Sequence, residues 1–321
     1  MTEKTKTANP LDRASDVFAG ILDNLNVVLK GKNEQAELAV TCLMAEGHLL
    51  IEDKPGTGKT SLARALAASI GGTARRIQFT PDLLPTDITG VTIYDPSGGE
   101  FRYRPGPVFA NVVIADEINR ASPKTQSALL EVMEERQVTA DGTSRPVPRP
   151  FMVVGTQNPL DFQGTYPLPE VQLDRFAMKL SLGYTDRDAE LEVISDRAAG
   201  DPVVGLSPVV NDVQLQKIIR AIRDVTVGEN LQRYVVNMVV ATREHPDLRL
   251  GVSTRGTLLL LSVARAYAVG RGRNWVSPDD IKAVAVPVLA HRLSIAPEAE
   301  LDGVTSLDVL EQIIAATAVP R

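Results

Sequence analysis

The chain has 321 residues, 44% of them apolar and 23% charged, and a formal net charge of -6. That composition suits a soluble globular protein of about two domains and brings no general attraction to nucleic acid or anionic membrane, although it leaves room for a local basic patch. Cys42 is the single cysteine, which excludes an intramolecular disulfide, and with three scattered histidines (His48, His245, His291) it cannot build a Cys/His zinc cage.

Residues 1–14, MTEKTKTANPLDRA, are polar and mixed in charge and read as a flexible arm. They lack the apolar run of a secretory signal, and no stretch of the chain reaches the ~20 apolar residues that span a bilayer. The expectation is a cytoplasmic protein without membrane insertion. Val17, Phe18, Ile21, Leu22 and Leu25 recur at helical spacing and predict a helix over 15–28, followed by another over 33–45. GHLLIED (47–53) reads as a buried strand, TSLARALAASI (60–70) as a helix closed by Gly71-Gly72, and RRIQFT (75–80) as a second strand. Two alternating segments flank Asp95-Pro96-Ser97-Gly98-Gly99 and predict a hairpin over 91–107. NVVIADE (111–117) and FMVVGTQ (151–157) are two more buried strands, and Ser122-Pro123 opens a helix between them.

The composition changes at GDPVVGLSP (200–208). Beyond it the pattern holds no convincing strand, and helices are expected near 212–224, 230–243, 255–269 and 278–291. The last begins with Ser277-Pro278-Asp279-Asp280, a cap with acids in its first turn. The expected architecture is an α/β nucleotide domain over 15–205, a parallel sheet flanked by helices with a β-hairpin insertion, followed by an all-helical domain over 206–321.

The segment DKPGTGKT (53–60) joins the first strand to the helix after it. It ends as a phosphate-binding loop should, in Gly58-Lys59-Thr60, but Asp53 stands where the pattern asks for its first glycine. The cradle needs glycines that let successive backbone N–H groups turn inward, and Gly56 and Gly58 supply them. Pro55, Gly56, Thr57, Gly58, Lys59, Thr60 and Ser61 are therefore the candidate phosphate-binding residues. Lys59 reaches the terminal phosphates, and the Thr60 hydroxyl holds Mg²⁺. No third glycine follows at the dinucleotide spacing. An apolar strand ending in two acids, Asp116 and Glu117, supplies the rest. Asp116 suits Mg²⁺, most naturally through water, and Glu117 suits a residue that orients attacking water. ATP and Mg²⁺ are the cofactors this pair of motifs calls for.

ADEINRASPKTQSALLEVMEERQVTADG (115–142), GTQNPLDFQGTYPLPEVQLDRF (155–176) and QFTPDLLPTDITG (78–90) resemble the MoxR family of AAA+ ATPases across roughly residues 25–295. In that family an acidic residue is common where Asp53 stands. The resemblance implies a P-loop AAA+ core with a helical lid and assigns Asn158 the sensor 1 role at the γ-phosphate. It makes Arg175 an arginine finger presented to the neighbouring subunit; on the residues alone, Arg175 could equally form a surface salt bridge with Asp174 or Glu170. It gives Arg255, near the start of a lid helix, the sensor 2 role, and Arg120 could also reach a neighbour. It implies a homo-oligomeric ring, a hexamer, acting as a chaperone-like remodeller on a separate protein partner that carries a von Willebrand factor A domain. No nucleic acid is expected. The alternatives are a nucleic-acid-dependent motor, in which Arg102, Tyr103 and Arg104 of the hairpin would grip a strand, and a metal-chelatase motor subunit. A switch-type GTPase is disfavoured because Asn158-Pro159-Leu160-Asp161 lacks the guanine-reading lysine.

Overall fold

The computed structural model describes residues 10–158 and 165–320. Residues 1–9 of the expected arm lie outside it, as do 159–161 of the stretch weighed as a guanine reader. Pro10–Arg13 form a short 3-10 turn leading directly into the first helix, so helical structure begins inside the span read as an arm.

The first half runs α1 (Ala14–Val28), α2 (Asn33–Met44), β1 (Leu49–Glu52), α3 (Lys59–Ser69), β2 (Ala74–Gln78), α4 (Pro85–Thr89), β3 (Gly90–Asp95) and β4 (Glu100–Pro105). Then come β5 (Val112–Asp116), α5 (Pro123–Glu135), β6 (Gln137–Ala140), β7 (Thr143–Pro146), β8 (Met152–Gln157), α6 (Glu170–Leu173), β9 (Met178–Leu180) and α7 (Arg187–Ala199). Five strands form one parallel sheet in the order β2-β5-β8-β1-β9. β5 and β8 are buried along almost their whole length, as strands covered on both faces must be. Gly155 sits in β8 where an added Cβ would meet the Phe176 ring at 2.9 Å, so the middle of the sheet accepts no side chain there.

One apolar cluster joins α1, α2 and α3 on one face of the sheet. A second gathers Phe79, Ile88, Leu129, Leu130, Met133 and Phe176 on the other. The expected hairpin is β3–β4, paired from Gly90↔Pro105 to Asp95↔Glu100. A second hairpin, β6–β7, stands beside it: the Arg145 guanidinium lies 4.0 Å from the Tyr103 ring centroid, and Thr92 bonds to Asp141.

The second half contains α8 (Asp212–Ile222), α9 (Glu229–Glu244), β10 (Leu248–Leu250), α10 (Thr254–Gly270), α11 (Pro278–Leu289), β11 (Ser294–Ile295), α12 (Pro297–Leu301) and α13 (Ser306–Ala316). Asn211, Ser253, Ser277 and Thr305 cap four of these helices with their side chains. Among the described residues this lid is helical apart from one short antiparallel ladder, Leu248↔Ile295 and Leu250↔Ser294, and a single parallel bridge, Thr226↔Trp275. Two or three residues are too few to show alternation, which is why no strand was expected here. The lid is not detached. Leu260, Val263 and Ala264 of α10 belong to the same apolar cluster as Phe18 and Ile21 of α1, and Gly270 approaches Phe18 so closely that a Cβ would meet the ring at 2.8 Å.

Candidate active site

The carboxyl ends of β1, β5 and β8 open into a cavity of about 420 Å³. Pro55, Gly56, Thr57, Gly58, Lys59, Thr60 and Ser61 line it from the loop, Asp116 and Glu117 from the end of β5, and Asn158 from the end of β8. Open α/β sheets bind ligands at this edge, where loops meet helix N-termini.

Gly56 and Gly58 have φ of +83° and +98°, a conformation that strains any L side chain. Gly58 also opens α3, and a Cβ on it would press Leu29 at 3.2 Å. Lys59 and Thr60 thus begin α3 with the helix's positive end toward the cavity. The Lys59 ammonium donates to the Asp53 carbonyl at 2.7 Å and the Lys54 carbonyl at 3.1 Å. Burial lowers its pKa, while Asp53, Asp116 and Glu117 oppose that shift.

Asp53 is a built part of the loop. Its buried carboxylate accepts from Lys54 N at 2.8 Å, Leu182 N at 2.8 Å and Gly183 N at 2.7 Å. The Lys32 ammonium, also buried, donates to the carbonyls of the same two residues, Leu182 at 2.7 Å and Gly183 at 2.5 Å. Burial lowers the Lys32 pKa, and Asp53 opposes the shift. A carboxylate and an ammonium therefore hold both sides of the 182–183 backbone and tie the loop to the chain leaving β9. Glycine at position 53 could make none of these bonds.

The two acids are fixed by a residue that motif reading passes over. Thr156, buried in β8, donates to Asp116 Oδ1 at 2.6 Å and accepts from Glu117 N at 2.9 Å. Glu117 has φ +55° and ψ +50°, left-handed for a non-glycine residue, which costs on the order of 1–3 kcal/mol and marks functional sites. Its side chain accepts from Gln78 at 2.9 Å and from Arg120 at 3.0 Å. Arg76 donates to Asp116 Oδ2 through Nε at 3.0 Å. Arg76 and Gln78 lie two apart in β2, on the face opposite buried Ile77, so period-2 alternation in RRIQFT could have found them.

Among the described residues no cluster of three or more His, Cys, Asp or Glu could hold a metal ion. The Thr60 hydroxyl and the Asp116 carboxylate instead line one cavity together with the glycine loop. That set fits a hard divalent ion completed by phosphate oxygens and water, as Mg²⁺ prefers.

A second cavity of about 380 Å³ adjoins the first and shares Gly56, Thr57, Gly58, Ser61 and Arg197 with it. Val28 and Leu29 from the end of α1, Tyr184 and Val193 give it apolar walls that suit a flat ring. Sequence reading makes no provision for α7, which supplies Val193 and Arg197, although the Asp186 cap and the acids of its first turn mark its start.

Arg175 and Arg255 are not among the residues that line either cavity. Both pair with Glu134 of α5, each at 3.0 Å. The salt bridges weighed for Arg175 do not form, because both acids are taken by the lid: Asp174 pairs with Arg292 at 2.9 Å and Glu170 with Arg249 at 2.7 Å.

A profile of the ATPase family associated with various cellular activities (AAA) matches residues 48–178, and one of the AAA lid domain matches residues 240–313. The uncharacterized protein YeaC of Bacillus subtilis is 48% identical, over 93% of each chain. Chaperone MoxR1 of Mycobacterium tuberculosis is 39% identical, over 92% of this chain and 80% of its own. A crystal structure of a candidate ATPase from Cytophaga hutchinsonii superposes with a TM-score of 0.91 at 37% identity, over 97% of both chains.

Proposed function

The chain belongs to the MoxR family of AAA+ ATPases, and from that membership we propose that it hydrolyses ATP to ADP and phosphate in a pocket shared between subunits of a ring. The observation that carries this reading is the convergence of Lys59, Thr60, Asp116, Glu117 and Asn158 on one cavity beside an apolar-walled one. The base occupies the apolar chamber, and the loop amides with Lys59 hold the phosphates. Thr60 and Asp116 would hold Mg²⁺, which would supply neutralisation of the phosphate charge. Glu117 orients the attacking water, and Asn158 contacts the γ-phosphate. Arg175, outside the cavity of its own chain, serves the neighbouring one, which requires a head-to-tail ring. The ring is a hexamer, as the family implies. Arg255 shares Glu134 with Arg175 and links the lid to nucleotide state at the same interface.

The work done is chaperone-like remodelling of a separate protein partner, of the kind carrying a von Willebrand factor A domain. Two observations on the hairpin favour a protein client over nucleic acid. Arg102 is engaged by Asp95 and Glu100, and Tyr103 lies under Arg145 with its hydroxyl donating to the Thr89 carbonyl. Ile93, Tyr94 and Phe101 add exposed apolar side chains to this hairpin, beside the exposed Glu100, Arg102 and Arg104. No helix among the described residues is long and apolar enough to cross a membrane. The working location consistent with this role is the cytoplasm.

The test is Glu117→Gln. The variant should bind a fluorescent ATP analogue normally and hydrolyse ATP roughly 10²–10⁴-fold more slowly. Full turnover would remove Glu117 from the reaction. With ATP the same variant should trap the client in a pull-down, and DNA-stimulated turnover with steep salt dependence would favour the nucleic-acid motor instead.

A further inference from the structure

We propose that Asp174 is a positioning residue through which the lid of one subunit sets the arginine that subunit presents to the next. The inference rests on the shared-pocket reading and extends it to how neighbouring sites communicate. The segment carrying Arg175 is held from the lid on both sides. Arg292, almost wholly buried, donates through Nε to Asp174 Oδ1 at 2.9 Å, and through Nη2 to the Asp174 carbonyl at 3.3 Å and the Phe176 carbonyl. One guanidinium thus brackets the backbone immediately before and after Arg175. Burial pulls the Arg292 pKa down to about 10, opposed by Asp174, so the group stays cationic at neutral pH. The other Asp174 oxygen accepts from Ser253 at 3.0 Å, and Ser253 is the cap of α10, two residues before Arg255. Arg249 of β10 holds Glu170 at the start of α6.

The lid can in turn feel the nucleotide of its own subunit. α10 packs on α1, and the end of α1, Val27 and Val28, walls the apolar chamber. A shift of α1 on nucleotide binding reaches α10, Ser253 and Arg292, and moves the backbone that bears Arg175. Packed elements with discrete arrangements transmit such shifts, and coupling rather than proximity is what must be measured.

The experiment mixes subunits. Asp174→Asn should keep ATP binding but, as a homomeric ring, turn over about tenfold more slowly, because every site faces a mispositioned arginine. Mixed with excess Glu117→Gln, which is inert in its own site but presents a correctly held Arg175, turnover per Asp174→Asn subunit should recover most of that loss. The double variant Asp174→Asn/Arg292→Gln leaves no unpaired buried charge, so it serves if the single variant folds poorly, and it should behave the same way. Arg175→Ala mixed with Glu117→Gln is the control. If the control recovers and Asp174→Asn does not, the positioning role is wrong and the shared pocket stands. If the control fails to recover, the shared pocket itself falls and the positioning role with it. Wild-type turnover by homomeric Asp174→Asn also overturns the proposal.

Discussion

Replacing Asp53 by glycine would restore the loop pattern from which the chain departs, and it should weaken the protein. The substitution removes a carboxylate that accepts three backbone N–H groups and lies beside the buried Lys32 ammonium. Hydrogen bonds to a charged group contribute about 1.5–3 kcal/mol each, but relaxation and water entry at Lys54 make a simple sum too large. Glycine leaves the buried Leu182 and part-buried Gly183 N–H groups without their acceptor at about 1–3 kcal/mol each, so the loss is about 2–6 kcal/mol, and Lys32 also loses a nearby opposite charge. The loss is a large share of the ~5–15 kcal/mol that a folded domain holds. Asp53→Asn keeps one acceptor oxygen and the side-chain volume, and should cost about 1–3 kcal/mol. Urea unfolding of both variants gives the stability change, and titration with a fluorescent ATP analogue reads the second effect. Gly183 and Tyr184 line the apolar chamber, so freeing the 182–183 backbone should weaken nucleotide binding about tenfold or more. A double-mutant cycle with Lys32→Met should return a coupling of about 1–3 kcal/mol. If Asp53→Gly is as stable as the wild type and binds nucleotide as tightly, the stitch between loop and β9 is ornamental.

Gln78→Ala removes the amide that holds Glu117 Oε2 at 2.9 Å; basal ATP turnover should rise several-fold, up to the ~10-fold that one such bond allows, and an unchanged or lower rate would show that Gln78 does not restrain the glutamate. Arg76→Gln frees Asp116 of an exposed ion pair worth at most ~1 kcal/mol, so the Mg²⁺ concentration that half-saturates nucleotide binding should fall by up to about fivefold; an unmoved midpoint argues that the pair does not compete with the metal. His48 accepts from Val153 N through Nδ1 and meets the Met133 carbonyl through Nε2, and burial, with Arg136 adding, holds its pKa near about 3. The unfolded chain takes up a proton near pH 6.5 that the native chain refuses, so stability should be level above that pH and fall as pH drops toward about 3, by up to ~1.4 kcal/mol per unit for this residue. Half-buried His291 is shifted the same way, and a denaturation midpoint that does not move between pH 7 and pH 5 would contradict both assignments.

Much of the engine is legible in the chain because it is written in local chemistry. Positive φ at Gly56 and Gly58, the apolar strand ending in Asp116 and Glu117, and the Ser-Pro starts of α5 and α11 each depend on a few neighbouring residues. The β6–β7 hairpin was equally open to such reading. Asp141 and Gly142 form its two-residue turn with φ of +52° and +71°, as Asp-Gly favours. β9, β10 and β11 were not, since two or three residues carry no measurable period.

The sequence by itself determined the phosphate cradle, the acids beyond β5, the two-part layout of sheet and lid, and the apolar faces that bury them. Only the tertiary structure decided that Asp53 reaches Leu182, that Thr156 sets both acids, that Arg175 and Arg255 share Glu134, and that Arg292 grips the backbone around Arg175. The reason is geometric. Backbone conformation and periodicity are settled by residues a few positions apart, whereas these partners meet only once the strands assemble in the order β2-β5-β8-β1-β9 and the lid docks on α1 and α6.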